Sequence, residues 1–482
     1  MSIRFAGGVT PARSSRDWLS LAIGLVVLVA VGVVMGQQYV TPDKRVLAVV
    51  SGLLVLGITW RLDLMSGVGL LILILPYPRN NVYGSTNLAF ILLMMIVWLL
   101  RINTGAAARP RGTPLDQPII GLVFAYVISF YNVENTTYLG FALANFGLFL
   151  ACIALYYLIV NAVRSPEQLA RLHLFQAATV ATVCLVALFE LNHPGSALVP
   201  GWIDFRQTHG EALDTRNIRV GGPFFDFEQL SDFCAVNILL VLFLLLRART
   251  TARKVLFGVL LALVIFILFA TVTRGAIIAL GVGLVYLVWV LRREVRFVSL
   301  MSAIGLVVAG FAAMDFYVAN FTRSGDLFKR LSEGHTLELK NGLPVGRAAT
   351  WIQAFDRWLE HPIIGHGPYY SLEKGITFWY WPHNVYLFIA NLVGVVGLSF
   401  FLWLMWRMWR LSGTHATGTR DPNYARAWLV YAHVQLLVFA IDQTKIDYLR
   451  SPIYQFQVWV MFALLMAGVQ LSRRVSPEPA SA

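Results

Sequence analysis

Residues 228–293 read EQLSDFCAVNILLVLFLLLRARTTARKVLFGVLLALVIFILFATVTRGAIIALGVGLVYLVWVLRR. Three apolar runs, centred on 228–246, 254–272 and 275–291, come close to the ~20 residues that carry a helix across a bilayer core. The first link, RARTTARK, holds four basic residues, and the third run ends on Arg292 and Arg293. Lys and Arg concentrate on the cytoplasmic side of membrane proteins. That rule places 247–254 and 292–296 inside and leaves the tight link TVTRG, with its lone Arg274, outside.

The same test extended along the chain finds fourteen candidate spans. Those before the quoted stretch centre on 17–36, 44–61, 63–77, 86–101, 117–132, 138–162 and 168–191; those after it centre on 297–318, 384–406, 427–442 and 451–471. Composition agrees: 58% of the 482 residues are hydrophobic and 13% are charged, against about 25% charged in soluble domains. The expectation is an all-α polytopic integral membrane protein with about fourteen transmembrane helices. An even number of spans, with the basic links on one side, puts both termini in the cytoplasm. The net charge of +13 then follows from topology, and no nucleic-acid partner is expected. The basic segment before residue 17 has no small-x-small cleavage site, so the first span reads as uncleaved. Cys152, Cys184 and Cys234 all fall within spans and read as small buried hydrophobes.

The resulting layout is a cytoplasmic tail (1–16), membrane helices (17–191), an outer loop (192–227), membrane helices (228–318), a long outer loop (319–383), C-terminal membrane helices (384–471) and a cytoplasmic tail (472–482). Six of the nine histidines fall outside the membrane on the outer face. Irregular chain gathered on one face usually carries the function. Within the long loop, GRAATWIQAFDRWLEHP repeats Trp351, Ile352, Phe355, Trp358 and Leu359 at helical spacing, which predicts an amphipathic helix. Such a helix either lies on the membrane interface or packs over the bundle.

Nucleotide, zinc-protease and serine-hydrolase signatures (GxxxxGK[ST], HExxH, GxSxG) are all missing, as is an Asp-x-Asp metal site for a nucleotide-sugar donor. The spacing of His361, His366 and His383 fits no standard metal site. No metal or cofactor is expected. In WPHNVYLFIANLVGVVG (381–397), His383 sits at the mouth of a span. On a continuous helix, Gly394 and Gly397 lie within about 60° of it, a smooth stripe that suits close helix packing. The positive end of a helix favours neutral imidazole, the form that accepts a proton. Arg219, Arg274 and Arg347 come from three further outer elements. An arginine at membrane level is costly unless it meets an anion, so together they suit a diphosphate. The plainer alternative pairs each with a carboxylate such as Asp226, Glu228, Asp232 or Asp356, or with lipid phosphate.

These residues resemble the bacterial O-antigen ligase and O-antigen polymerase superfamily of membrane glycosyltransferases. His383-Asn384, nine residues, then Gly394-x-x-Gly397 matches the family's histidine pattern. Gly346-Arg347 with Trp351, then Pro362, Gly365 and Gly367, resembles its Gly-Arg…Trp…Pro-x-x-Gly-x-Gly run; Arg219 before Gly222 and Thr273-Arg274-Gly275 resemble its other arginine stretches. Together these cover about 215–400. The resemblance implies an undecaprenyl-diphosphate-linked glycan as donor. The acceptor is a sugar hydroxyl, on lipid A–core in a ligase or on another lipid-linked saccharide in an O-antigen or exopolysaccharide polymerase. It also implies His383 as the catalytic group, Arg219, Arg274 and Arg347 as diphosphate ligands, and Asn384, Gly365, Gly367, Gly394 and Gly397 in support. Inversion without a metal, at the periplasmic face of the inner membrane, follows. Membrane lipids and polysaccharide assembly or export proteins are the other expected partners.

Two features depart from the family. Its ligases commonly show about twelve spans, and Asp226 and Glu228 stand where many relatives carry asparagine. A secondary transporter or lipid-linked glycan flippase is the rival reading. Transporters, however, place polar groups near mid-membrane in repeated halves, whereas here the singular charges gather at the outer interface. A non-catalytic role in a polysaccharide export complex is a third.

Overall fold

The computed structural model describes residues 63–474 apart from 78–84, 106, 108, 200–202, 206–218, 293–311, 313–315, 317–319, 321–336, 341–342, 370–381 and 417–420. The chain divides into two units, 1–63 and 64–482, and the second is the one described. The expected spans at 17–36 and 44–61, nearly all of that at 297–318, and both termini lie outside the described residues.

Helices follow the apolar runs: α1 (Leu64–Ile74), α2 (Ser85–Asn103), α3 (Asp116–Ser129), α4 (Thr136–Ala162), α5 (Pro166–Asn192), α6 (Phe227–Arg247), α7 (Thr251–Ala270), α8 (Arg274–Val290), α9 (Arg347–Glu360), α10 (Val385–His415), α11 (Tyr424–Asp442) and α12 (Pro452–Arg474). Seven of them among the described residues (α4 to α7 and α10 to α12) are long and apolar enough to cross a membrane; α1, α2 and α8 are shorter apolar helices. Polar residues set the starts. Ser165 and Gln168 form a capping box on α5, with Pro166 at its first turn, which satisfies backbone donors that open a helix. Asn135, Asp226, Thr250, Asn384 and Asn423 accept first-turn N–H groups of α4, α6, α7, α10 and α11.

Burial sorts the helices into layers. α6 and α12 are enclosed, with 83% and 89% of their apolar windows buried, whereas α7 has only 28% buried. Val259 of α7, Val285 of α8 and Ile120 of α3 are more than 60% exposed. Apolar side chains turned outward from an apolar helix form a lipid-facing surface. Two short hairpins add strands to the all-α expectation: β1 (Ala197–Val199) with β2 (Ile203–Asp204), and β3 (Leu337–Lys340) with β4 (Leu343–Gly346).

The amphipathic segment of the long loop folds as α9. It packs through Thr350 and Ala354 and leaves Ile352, Phe355 and Leu359 about half exposed. Among the described residues, its apolar face therefore points away from the bundle, as in a helix resting at the membrane interface.

The continuous glycine stripe expected on α10 is not formed. The helix breaks at Val393 and Gly394, where Gly394 takes φ 65°. A break inside a span exposes backbone groups that lipid cannot satisfy. Here HPIIGHG satisfies them. Pro362 and Ile363 carbonyls accept from Val395 (2.8 Å) and Val396 (3.2 Å), while His366 and Gly367 N–H groups donate to Asn391 (2.9 Å) and Leu392 (3.0 Å) carbonyls. The fit allows no side chain: a Cβ on Gly394 would lie 2.1 Å from the Ile363 carbonyl oxygen, and one on Gly365 would lie 2.4 Å from the Leu392 backbone. A Cβ on Gly397 would lie 2.1 Å from the Val393 side chain at the break, and 3.4 Å from Ala125 of α3.

Candidate active site

The site grows from the start of α6. Glu190 of α5, fully buried, accepts the Gly221 (3.0 Å) and Gly222 (2.6 Å) N–H groups and fixes the turn before α6. Asp226 then caps the helix through the Glu228 and Gln229 N–H groups at 2.9 and 3.1 Å. This sequence aims the Glu228 carboxylate out of the first turn, with its side chain only 7% exposed.

Three cationic or titratable side chains from separate elements meet that carboxylate. His383 Nδ1 lies 2.9 Å from Oε2, Arg450 Nη2 donates to the same oxygen at 3.1 Å, and Arg347 Nη2 donates to Oε1. Arg450 also ion-pairs with Asp226, and its Nη1 lies 3.3 Å from His383 Nδ1. An arginine N–H cannot accept a proton, so the shorter contact decides the tautomer: Nδ1–H donates to Glu228. Nε2 is then the ring nitrogen left able to accept a proton.

His383 is held on both sides of the chain. It adopts φ 47°, a left-handed conformation unusual for a residue with a Cβ. Asn384, next to it, accepts from Tyr386 (3.0 Å) and Leu387 (3.1 Å) and donates to the Thr444 carbonyl at 2.9 Å. Val385 N–H donates to the Gln443 carbonyl at 3.0 Å. The entry of α10 is thus fastened to the link that follows α11.

The other two expected arginines occupy the neighbouring turn. Arg219 Nε donates to the Thr271 carbonyl (2.9 Å), Nη2 to the Val272 carbonyl (3.2 Å) and Thr273 Oγ1 (3.0 Å), and the guanidinium lies 3.4 Å from the Phe227 ring centroid. Val272 has φ 52°, a strained geometry for a β-branched residue, and Arg219 grips its carbonyl. Arg274 is the first residue of α8 and is half-buried. Lys445 lies over the adjoining Gly275, where a Cβ would meet its Nζ at 1.0 Å, and pairs with Asp442 at 2.8 Å. The structure therefore brings His383 and Arg347 onto one carboxylate and groups Arg219 with Arg274 at the α7–α8 turn. Gly365, Gly367 and Gly394 belong to the repaired break in α10. His361 and His366 stack edge-on at 4.6 Å, and His366 Nε2 bonds the Arg357 carbonyl at 2.8 Å.

Charge within the cluster is nearly balanced. Burial raises the Asp226 carboxyl above its usual range, with Arg450 opposing. Burial pushes fully buried Asp447 up to about 8, again opposed by Arg450 and reinforced by Glu228 and Asp226. Burial pulls the Arg450 guanidinium down, but Asp226, Asp447 and Glu228 outweigh it and leave it more firmly protonated than usual. With Asp447 neutral at pH 7, Arg347 and Arg450 face Asp226 and Glu228, two charges against two.

Glu228 and Arg450 are the members that motif matching passed over. Their signal lies in the sequence nonetheless: each is an ionisable residue at the mouth of an apolar run, where such residues rarely stand without purpose.

A search of curated proteins gives no match. A family model described as O-antigen ligase matches residues 259–402. That segment begins in α7 and runs through the α7–α8 turn, α9, the HPIIGHG loop and His383 into α10. The resemblance read from the motifs is thereby borne out, and the chain carries an O-antigen ligase domain of the O-antigen ligase and polymerase superfamily.

Proposed function

We propose that the protein is an inverting glycosyltransferase that moves a glycan from undecaprenyl diphosphate to a sugar hydroxyl at the periplasmic face of the bacterial inner membrane. The observation that carries this reading is the meeting of His383, Arg347 and Arg450 on the Glu228 carboxylate at one end of the bundle. In the reaction, the acceptor oxygen bonds to the anomeric carbon as the bond from that carbon to the diphosphate oxygen breaks. The electron pair leaves with the diphosphate, and the hydroxyl proton passes to His383 Nε2. Arg347 and Arg274 offset the charge that grows on the leaving group, while Arg219 holds the turn that presents Arg274. Glu228 keeps the imidazole in the required tautomer and stabilises it once protonated. No step assigns a role to a metal.

The test is reconstitution of wild type and His383→Ala with an undecaprenyl-diphosphate oligosaccharide in chelator, with and without lipid A–core. Longer glycan from the donor alone identifies a polymerase; transfer only to lipid A–core identifies a ligase. The configuration of the new linkage, read by NMR, must be opposite to that of the donor. Undiminished transfer by His383→Ala would remove the histidine from the chemistry. Movement of intact donor across a vesicle membrane without new linkages would favour the flippase reading.

A further inference from the structure

The link between α11 and α12, residues 443–451, contributes one side chain to the cluster whose geometry exceeds what the link needs to hold its shape. The link is anchored without it. Gln443 Nε2 donates to Asp232 at 2.7 Å, the Tyr448 N–H donates to Gln443 Oε1 at 3.0 Å, and Gln455 Nε2 donates to the Leu449 carbonyl at 2.8 Å. Arg450 instead reaches out of the link to Asp226, Glu228 and the His383 ring, with its side chain only 13% exposed. An arginine so buried is held by its carboxylates, and here the same carboxylates touch the histidine.

We propose that Arg450 is a positioning residue for the Glu228–His383 pair, fixing the carboxylate that sets the imidazole tautomer and disfavouring a proton on Nε2 before the acceptor arrives. This rests on the reading of His383 as the base. Two contacts define the role. Arg450 occupies the same Glu228 oxygen as Nδ1, so the carboxylate cannot rotate away without losing both. Its guanidinium also stands 3.3 Å from Nδ1, a cation held against the ring that Glu228 orients. The other charged groups facing this site are Asp226 at the start of α6, Arg347 from α9 and Asp447 in the link. Lys445 and Asp442 pair with each other. Asp447, neutral at pH 7 through burial, leaves Arg450 committed to Asp226 and Glu228.

The experiment compares wild type, Arg450→Met, Arg450→Lys and His383→Ala in the reconstituted transfer assay across pH 5–9, with melting temperatures in detergent as a check on folding. Arg450→Met should lose about 30-fold or more in kcat with the donor KM within threefold of wild type. The acidic limb of its rate profile should move to higher pH by about one unit, because removing the cation eases protonation of the ring. Arg450→Lys should recover part of both. A drop in kcat matched by a lower melting temperature, with the acidic limb in place, would reduce Arg450 to a structural contact and overturn the proposal. A large rise in donor KM with kcat retained would make it a substrate ligand, which also overturns it. Activity in His383→Ala would refute the base assignment itself, a separate failure visible in a separate variant.

Discussion

Glu228→Gln keeps the shape of the side chain and removes one charge. It is the sharpest test of the cluster. In the wild type, Oε2 accepts from His383 Nδ1 and Arg450 Nη2 while Oε1 accepts from Arg347. A glutamine has one accepting oxygen for these three donors. If its oxygen takes the place of Oε2, the amide nitrogen meets Arg347 head-on. If the amide nitrogen faces the ring, Nδ1 must become the acceptor and the proton moves to Nε2. The base nitrogen is then blocked. Losing a positioned base costs about 10²–10⁴ in rate, or about 3–5 kcal/mol on the barrier. Stability suffers too, since Arg347 loses its carboxylate and Arg450 keeps only Asp226. Removing one partner from a buried pair costs about 3–5 kcal/mol, but the Arg347 side chain is 25% exposed, so water takes up part of that and about 2–4 kcal/mol is expected. The assay is steady-state transfer by purified variant in lipid, with kcat and donor KM measured separately. The expected signature is a fall in kcat without a rise in KM, because Arg347 and Arg274 remain to meet the diphosphate. A Glu228→Gln enzyme with kcat within threefold of wild type would refute the tautomer argument.

Gly394→Ala should lose most folded protein or several kcal/mol of stability, since its Cβ would lie 2.1 Å from the Ile363 oxygen at φ 65° and such strain costs about 1–3 kcal/mol before any clash. Gly258→Ala in α7, where a Cβ meets nothing within 4 Å, should be neutral to slightly stabilising; thermal unfolding in detergent compares the two. Glu190→Ala, which removes the one oxygen that accepts both the Gly221 and Gly222 N–H groups, should lower stability by at least about 1–3 kcal/mol, read in the same melts. Asp447 gives a pH prediction. Its carboxyl is pushed up to about 8 in the folded chain, against about 3.9 when unfolded. The folded state therefore binds more protons between those values, and stability falls as pH rises through that window. Wild type should lose more melting temperature between pH 5 and pH 9 than Asp447→Asn, and equal losses would show that Asp447 does not titrate there.

Where apolar runs were long, the helices were legible. α4 to α7 begin and end within a few residues of the runs that announced them, because length and uniform apolarity leave the backbone no other way to satisfy itself in lipid. The break in α10 was not legible. VYLFIANLVGVVG is apolar throughout, and its interruption depends on a loop about thirty residues earlier that supplies replacement partners. His383 and Arg347 could be picked out because they sit in patterned stretches. Arg450 stands in no such pattern; its place at the mouth of an apolar run marks it only as an unusual charge, and its role comes from contact with residues over 200 positions away in the chain. Arg219 shows the opposite limit: residue type suggested an anion ligand, whereas the backbone carbonyls it grips became visible only in three dimensions.

The repaired break has a consequence for biogenesis. HPIIGHG precedes α10 in the chain, so the segment that completes the helix has already been made when the second half of the span emerges. Until the loop seats, the span carries four backbone groups with no partner in hydrocarbon, each worth several kcal/mol. The membrane therefore selects for prompt docking of this loop into an apolar helix. Once docked, withdrawing one without disrupting the other is prohibitively costly. An insertion between Pro362 and Gly367 would be rejected during assembly, long before any reaction is asked of the protein.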